Sequence, residues 1–138
     1  MRQTLKKNEI IRSKSIIDIL FSQGISVMKY PIKLVYFEKE ISEQDLLKSK
    51  LPPQKLAFLF SVPKKNIKLA VNRNKIKRRI KEIIRKNKNA FIQPTNNKQL
   101  FVAVIFVEKQ EKSYQELEIS LRLAFEKLNL SLNLSSNI

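Results

Sequence analysis

The sequence predicts an α+β domain, in which four strands form one sheet and helices pack on it. Apolar residues recur at helical spacing in three segments, and they alternate or run continuously in four others. These segments follow one another in the order αβββαβα. Because 138 residues can bury a core without metal ions or disulfide bonds, we expect one domain over residues 1–138.

The first helix is predicted over residues 7–22. Ile10, Ile17 and Phe21 stand at helical spacing in this segment. Gly24, the only glycine of the chain, follows the last apolar residue at the position of a helix stop. We expect this glycine to adopt the left-handed conformation that ends many helices.

Three strands follow the first helix. A short strand ends before Pro31, and the alternating segment YPIKLVYFEK predicts a second strand. Residues 38–55 are largely polar and contain two adjacent prolines, which predicts a long loop. The apolar run at residues 56–62 predicts a third, buried strand that ends at Pro63.

The C-terminal half predicts a helix, a strand and a second helix. A basic helix at residues 69–87 is followed by a loop to residue 99 and by a fourth strand that is buried on both faces. Residues 113–130 predict the last helix, which opens on a capping-box pattern, and we expect residues 130–138 to be a disordered tail. The capping box consists of Ser113 and Glu116, and the apolar stripe of Leu117, Leu121, Phe125 and Leu128.

The charge balance points to a polyanionic partner. The chain has 28 lysines and arginines against 12 aspartates and glutamates, which gives a net charge of +16. Such an excess of one sign repels itself in a compact domain unless an anionic partner offsets it. The candidate partners are nucleic acid and an acidic membrane surface.

The residue types that are missing exclude several classes of protein. The chain has no cysteine, which excludes disulfide frameworks and thiolate metal sites and fits a reducing cytoplasm. It has no histidine, which is the commonest general base and a frequent zinc ligand. No apolar run approaches the roughly 20 residues that span a bilayer. We therefore expect a cytoplasmic protein that does not enter a membrane.

The basic helix has one apolar face and one cationic face. Residues 69–87 hold eight basic residues and one acidic residue. The cationic face places like charges one turn apart, where a solvated helix usually mixes signs, so it favours nucleic acid over plain solvent exposure. Charge alone leaves RNA and DNA open. The apolar stripe is Leu69, Ile76, Ile80, Ile83 and Ile84, and the cationic face is Asn74, Lys77, Arg78, Lys81 and Arg85, flanked by Lys75, Arg79 and Lys86.

Two stretches of the chain resemble the bacterial ribonuclease P protein family. SVPKKNIKLAVNRNKIKRRIKEIIRKN, at residues 61–87, is similar to the family's signature, and LKKNEIIRSKSIIDILFSQG, at residues 5–24, is similar to its opening. The resemblance covers residues 5–128. It implies a ribosomal protein S5 domain 2-like fold with a left-handed crossover around the basic helix, where the general rule for parallel strands expects a right-handed one.

The resemblance also implies a function. The family's protein is an accessory subunit of ribonuclease P, a ribonucleoprotein endonuclease that removes the 5′ leader of precursor tRNA. The catalytic RNA and its Mg²⁺ ions carry out the chemistry, so the resemblance implies no catalytic residue and no metal site in the protein, which alone is inactive. The implied partners are the ribonuclease P RNA and precursor tRNA, with no membrane and no obligate protein partner.

The resemblance assigns roles to individual residues. On the basic helix it implies contacts to the catalytic RNA, and between the first helix and the sheet it implies a cleft for the leader. Lys75 stands where the family has arginine, and Ile17 stands where it has an aromatic residue. The implied RNA contacts are Arg73, Asn74, Lys75, Lys77, Arg78 and Lys81. Arg85 is added to them because of its place in the charge pattern of the helix. The implied cleft residues are Ile17, Phe21, Val35, Tyr36, Ser61 and Lys65.

Two other functions stay open on the sequence. A ribosomal or other structural RNA-binding protein would share the charge and the basic helix but would need no leader cleft. A stand-alone nuclease would need clustered carboxylates for its metal ions. Asp18 and Asp45 are the only aspartates, and no carboxylate cluster has the spacing of a two-metal site, which disfavours a nuclease.

Overall fold

A computed structural model describes residues 10–11, 14–40, 56–91 and 98–136. Within these ranges, three helices and four strands follow one another in the predicted order αβββαβα. The long loop was predicted over residues 38–55, but residues 38–40 belong to a strand, and the rest of the predicted loop lies outside the described residues. The elements are α1 (Lys14–Gln23), β1 (Ile25–Lys29), β2 (Ile32–Glu40), β3 (Leu56–Ser61), α2 (Ala70–Phe91), β4 (Lys98–Phe106) and α3 (Tyr114–Ser136).

The four strands form one mixed sheet in the order β1-β2-β4-β3. β1 pairs antiparallel with β2, β2 pairs antiparallel with β4, and β3 runs parallel to β4. The helix α2 therefore connects two parallel neighbours, and the α+β class is confirmed. The hand of this crossover stays a prediction.

One face of the sheet packs against α2 and α3 and forms the main core. The ring of Phe58 on β3 stacks with the ring of Phe60, and their centroids are 5.9 Å apart. The same ring meets Phe125 on α3 edge to face, at 6.4 Å between centroids. The predicted apolar stripe of α3 is confirmed, because Leu117, Leu121, Phe125 and Leu128 are all buried. Burying four such side chains contributes about 1.5–3 kcal/mol each to folding, which fixes α3 and the neighbouring α2 on the sheet.

The other face of the sheet carries only α1 among the described helices. Leu20 of α1 is fully buried there against Val35, Phe101 and Ala103. α1 contacts β2 and β4, and no other described helix covers the part of this face around Ile105, which is only half-buried. This open part lies where the leader cleft was expected.

Three predicted helix boundaries were wrong. The first helix begins at Lys14, and Ile10 and Ile11 lie beside β3 instead, where Ile10 forms a β-bridge with Phe58 and Ile11 N donates to the Phe58 carbonyl at 2.7 Å. The helix α2 runs to Phe91, through the first part of the predicted loop. The helix α3 continues to Ser136 instead of ending at Leu130, because Leu132 is a further buried residue of its apolar stripe.

Gly24 is required for space and not for a left-handed conformation, so the predicted reason was wrong. No glycine in the chain has a positive φ. Gly24 N donates to the Leu20 carbonyl at 2.9 Å, and the backbone passes directly over β2. A Cβ at this position would collide with the Leu20 carbonyl oxygen and would lie 2.6 Å from Cγ1 of Val35. Only glycine lets the end of α1 come this close to the sheet.

Candidate nucleic-acid interface

The helix α2 is anchored to the core by its apolar stripe. Ile76, Ile80, Ile83 and Ile84 are buried, as predicted. Leu69 was wrongly included in this stripe, since it precedes the first helical residue and is 66% exposed. Because the buried isoleucines fix the rotation of α2, each of its polar side chains has a definite position relative to the rest of the domain.

Two of the flanking cations of α2 are paired with an acidic residue of the β4–α3 connection. Glu111 lies 3.1 Å from Lys75 Nζ and 2.8 Å from Arg79 Nη1. Arg79 Nη1 also donates to the Lys112 carbonyl at 2.8 Å, which fixes the guanidinium. The hydrogen bond from Lys75 is the largest cause that lowers the pKa of Glu111, so this carboxylate is charged at neutral pH.

A second acidic residue pairs with the cations near the C-terminal end of α2. Arg85 Nε donates to Glu82 at 3.1 Å, and a further guanidinium nitrogen of Arg85 contacts the same carboxylate. Lys86 Nζ lies 3.6 Å from Glu82, and the bond from Arg85 is the main cause that lowers the pKa of Glu82. Arg85, predicted as a free RNA contact, is therefore already paired within its own helix.

Four further polar side chains of α2 form an outer row, for which the described residues supply no carboxylate partner. Within the described part of the chain, no acidic residue forms an ion pair with Lys77, Arg78 or Lys81. Lys81 Nζ lies 5.6 Å from the centroid of the Phe60 ring, a cation–π contact that leaves its charge unneutralised. We define the outer row as Asn74, Lys77, Arg78 and Lys81.

Arg73 has a structural role that the sequence did not indicate. Its Nη1 donates to the carbonyls of Ile67 and Lys68 at 3.1 and 2.7 Å. Both carbonyls belong to the connection that leads from β3 into α2. Arg73 therefore holds this connection against the first turn of α2, and one edge of its guanidinium is used in these hydrogen bonds.

Lys65 lies in the turn after β3 and not beside α1. It lines a cavity of about 550 Å³ between this turn and the β4–α3 connection. The other residues of the cavity wall include two more lysines, which make it cationic. They are Asn66, Ile67, Lys68, Leu69, Asn72, Lys109 and Glu111. Lys65 therefore adds to the basic surface next to the start of α2.

The open surface beside α1 combines exposed apolar residues with polar residues at its rim. Phe21 is 51% exposed, and Ile17, one turn earlier, is half-buried. On the sheet, Ile105 of β4 stands between Lys33 of β2 and Ser61 of β3, which are its register partners. We call these five residues the α1-side surface. Phe21 is not an ordinary core residue, because half of its surface is accessible.

Val35 and Tyr36 lie on opposite faces of β2, because side chains alternate along a strand. Val35 is buried under α1, so it forms part of the floor on the α1 side. Tyr36 is only 2% exposed in the main core, and its hydroxyl hydrogen-bonds with Ser131 of α3. The prediction that Tyr36 lines the leader cleft was therefore wrong.

The described residues contain neither a cluster of metal ligands nor a helix suited to cross a membrane. Among them, no three His, Cys, Asp or Glu side chains are arranged to hold a metal ion. None of the described helices combines the length and the apolar character that crossing a membrane requires.

Sequence reasoning missed the residues that divide the basic surface into paired and unpaired parts. Glu111 is 32 positions from Arg79 in the chain, so no local pattern indicates their contact. Tyr114, at the start of α3, was not singled out either, although its ring lies beside α2 and 5.9 Å from Lys86 Nζ. Glu82 could have been recognised, because acidic and basic residues three and four positions apart commonly pair on a helix.

Comparisons with known proteins identify relatives of the chain. A curated ribonuclease P protein component from Chlorobium phaeobacteroides is 39% identical over 85 residues, which are 62% of this chain and 54% of that protein. Another from Porphyromonas gingivalis is 29% identical over 103 residues, 75% of this chain and 69% of that protein. The chain thus spans about half the length of the first of these relatives.

Solved structures of similar fold include RNase P proteins from Staphylococcus aureus. A mutant with defective mRNA degradation activity superposes with a TM-score of 0.67 at 20% identity, covering 89% of this chain and 90% of that one. Another structure of the protein gives 0.61 at 21% identity, covering 87% and 94%. These likenesses agree with the α+β fold described above. Because the family model for Ribonuclease P matches residues 5–129, nearly the whole sequence, this chain belongs to the ribonuclease P protein family.

Proposed function

We propose that this protein is the RNA-binding subunit of a ribonuclease P, in which it binds the catalytic RNA and the 5′ leader of precursor tRNA. The observation that carries the proposal is the outer row of α2. Lys77 and Arg78 stand about one turn before Lys81 on a helix that the core holds in place, and the three have no acidic partner among the described residues. An RNA backbone supplies the negative charges that this row lacks.

The outer row offers two kinds of contact to a folded RNA. Arg78 can bind a phosphate through two parallel hydrogen bonds, whereas the lysines act as point charges. Asn74 adds a neutral donor and acceptor that suits a base edge or a 2′-hydroxyl. Glu111 and Glu82 already pair with the cations on either side of the outer row. The outer row is therefore the part of α2 where a phosphate meets the least competition from carboxylates.

The α1-side surface is the proposed site of the leader. A single-stranded leader exposes base faces, which stack on aromatic and apolar side chains without regard to sequence. Phe21 offers such a face, Ile17 and Ile105 extend the apolar floor, and Lys33 and Ser61 lie at its rim. Nothing in this arrangement breaks a bond. We assign the cleavage to the RNA and its Mg²⁺, and we expect the protein to act in the cytoplasm without an obligate protein partner.

Reconstitution tests this proposal directly. The purified full chain should not cleave precursor tRNA, but it should restore accurate removal of the leader when mixed with a bacterial ribonuclease P RNA at low Mg²⁺. The reason is that the cations of the protein replace part of the charge screening that the RNA alone needs from Mg²⁺. The readout is the 5′ end of the product. Leader cleavage by the protein alone, or a lack of stimulation of the RNA, would contradict the proposal.

Replacing Phe21 by alanine tests the assignment of the leader site. We expect Phe21→Ala to weaken the binding of precursor tRNA by the reconstituted enzyme by about 1–3 kcal/mol, the energy of one stacked base, and to leave mature tRNA binding unchanged. Because half of the Phe21 surface is accessible, the free energy of unfolding should change little. Ile119→Ala on α3 is the control, since Ile119 is equally exposed at 51% but lies on the other side of the sheet. Equal losses for both tRNAs would contradict a leader contact.

A further inference from the structure

A second cavity lies between α2 and the start of α3, apart from the α1-side surface. Its volume is about 340 Å³, and its wall consists of Lys75, Arg78, Arg79, Glu82 and Tyr114. This volume is at the lower end of the range for small-molecule sites. The cavity is therefore large enough for one nucleotide.

The charges of this cavity suit an anionic ligand and are already fixed in place. Three cations line the wall with one carboxylate. Arg79 is fixed by its hydrogen bonds to Glu111 and to the Lys112 carbonyl, both at 2.8 Å. Arg78 forms no ion pair within the described part of the chain and stays available for a phosphate. Groups that need no rearrangement lose less entropy when a ligand binds.

Tyr114 provides an aromatic wall of the cavity, and its packing against the core holds the ring in place. Its ring is half-buried and packs against the main core. Lys86 Nζ lies 5.9 Å from the ring centroid, but Lys86 does not line the cavity, so the ring keeps a part that faces the cavity. Unpaired bases of RNA bind by stacking on tyrosine rings and guanidinium planes.

Glu82 adds a preference between bases. Both of its oxygens contact Arg85, but a carboxylate has about four acceptor positions, so it can still accept a hydrogen bond from a ligand. A carboxylate accepts from the exocyclic amino group of cytosine. Uracil has the same ring size and lacks this group, so Glu82 would favour cytosine over uracil.

We propose that this cavity binds one unpaired nucleotide of an RNA, with the base against Tyr114 and Arg79, the phosphate near Arg78, and an amino group of the base on Glu82. The proposal rests on the proposed function, since it takes RNA to be the ligand of this side of α2. It adds a base-reading site beside the outer row, whose cations are proposed to contact the RNA backbone.

Because the chain has no tryptophan, binding at Tyr114 can be measured through tyrosine fluorescence. The chain has three tyrosines and no tryptophan, so its intrinsic fluorescence comes from tyrosine, and a base stacked on Tyr114 quenches part of it. Titration of the full chain with hexacytidylate should quench this emission and give a dissociation constant about threefold to tenfold lower than hexauridylate gives, as expected for one extra hydrogen bond.

Variants of Tyr114 separate stacking from charge. Tyr114→Leu should lose about tenfold in hexacytidylate affinity, while Tyr114→Phe should keep the affinity and lose the quenching. Tyr30→Leu is the control, because Tyr30 is exposed at the β1–β2 turn, away from the cavity. Unchanged affinity in a folded Tyr114→Leu, with quenching that persists in Tyr114→Phe, would overturn the proposal.

Glu82→Gln gives a second test that does not depend on Tyr114. This variant releases Arg85 and Lys86, which strengthens the binding of both hexanucleotides, so the ratio of the two affinities is the informative quantity. The preference for cytosine should fall to within about twofold of unity. A ratio that stays at its wild-type value would overturn the role of Glu82.

Reconstitution with ribonuclease P RNA keeps this proposal distinct from the proposed function. If the RNA is stimulated but the hexanucleotides do not distinguish the variants, the cavity proposal alone fails. If the RNA is not stimulated, the proposed function fails, whatever the hexanucleotides show.

Discussion

Replacing both Arg78 and Lys81 by alanine should weaken the binding of ribonuclease P RNA by about tenfold to hundredfold and flatten its dependence on salt. Each phosphate contact releases condensed counterions, so losing two should reduce the slope of log K against log[salt] by about 1.5. The measurement is a binding titration of the full chain at several salt concentrations.

The structure explains why these two residues should matter more than their neighbours. Lys75 and Arg79 are held by Glu111, so phosphate must compete with a carboxylate there. Arg78 and Lys81 meet no such competitor among the described residues, and Ile80 between them is buried in the core. The rigid helix keeps both charges at the surface whether or not RNA is bound.

A matched control removes the same amount of charge from another helix. Arg122 and Lys127 are both exposed on α3, and Arg122→Ala with Lys127→Ala lowers the net charge by the same two units. This control should reduce affinity only slightly, because distant charges are screened over about 10 Å at 0.1 M salt. If the control and the α2 double variant flatten the salt dependence equally, the outer row is not the RNA contact.

Replacing Gly24 by alanine should lower the free energy of unfolding by about 1–3 kcal/mol, a large effect for one added methyl group. The new Cβ would collide with the Leu20 carbonyl oxygen and with Val35, so α1 would have to move away from the sheet. The same movement would displace Phe21 and Ile17, which lie on α1. We therefore also expect weaker leader binding. Chemical denaturation monitored by circular dichroism measures the stability change.

The neighbouring residue provides the control for Gly24→Ala. Gln23 is exposed at the last position of α1, so Gln23→Ala should change the free energy of unfolding by no more than about 0.5 kcal/mol. Truncating Val35 together with the glycine substitution should recover part of the loss, because one of the two clashes is with its side chain. A Gly24→Ala variant as stable as the parent would show that the chain can relax at this point without cost.

The pairing of Lys75 with Glu111 changes the meaning of one departure from the family pattern. The resemblance places arginine at this position, and this chain has lysine. In the structure Lys75 Nζ lies 3.1 Å from Glu111, and the same carboxylate holds Arg79. A lysine suffices for this contact, since a single acceptor does not need the two parallel donors of a guanidinium. Arg78 is therefore the arginine of this helix to which the described residues offer neither a carboxylate nor a carbonyl partner.

The sequence by itself determined the order of the described elements and the buried sides of α2 and α3. Ile76, Ile80 and Ile83 on α2 show why, because their spacing alone places them on one stripe and the structure buries all three. The capping box at the start of α3 is equally local, and Glu116 N donates to Ser113 Oγ at 3.2 Å. Such features depend on residues within one or two turns of each other, so the printed sequence contains them.

Only the tertiary structure decided which cations are free, which face Tyr36 occupies and why Gly24 is needed. Glu111 reaches α2 from a connection that lies 32 residues away from Arg79, and Tyr36 bonds to Ser131 across 95 residues. Gly24 is dictated by how closely the end of α1 approaches β2. These properties depend on distances between segments that the fold brings together. A sequence pattern records which side chains are charged or apolar, but the charge that an RNA meets is what remains after the protein has paired its own groups.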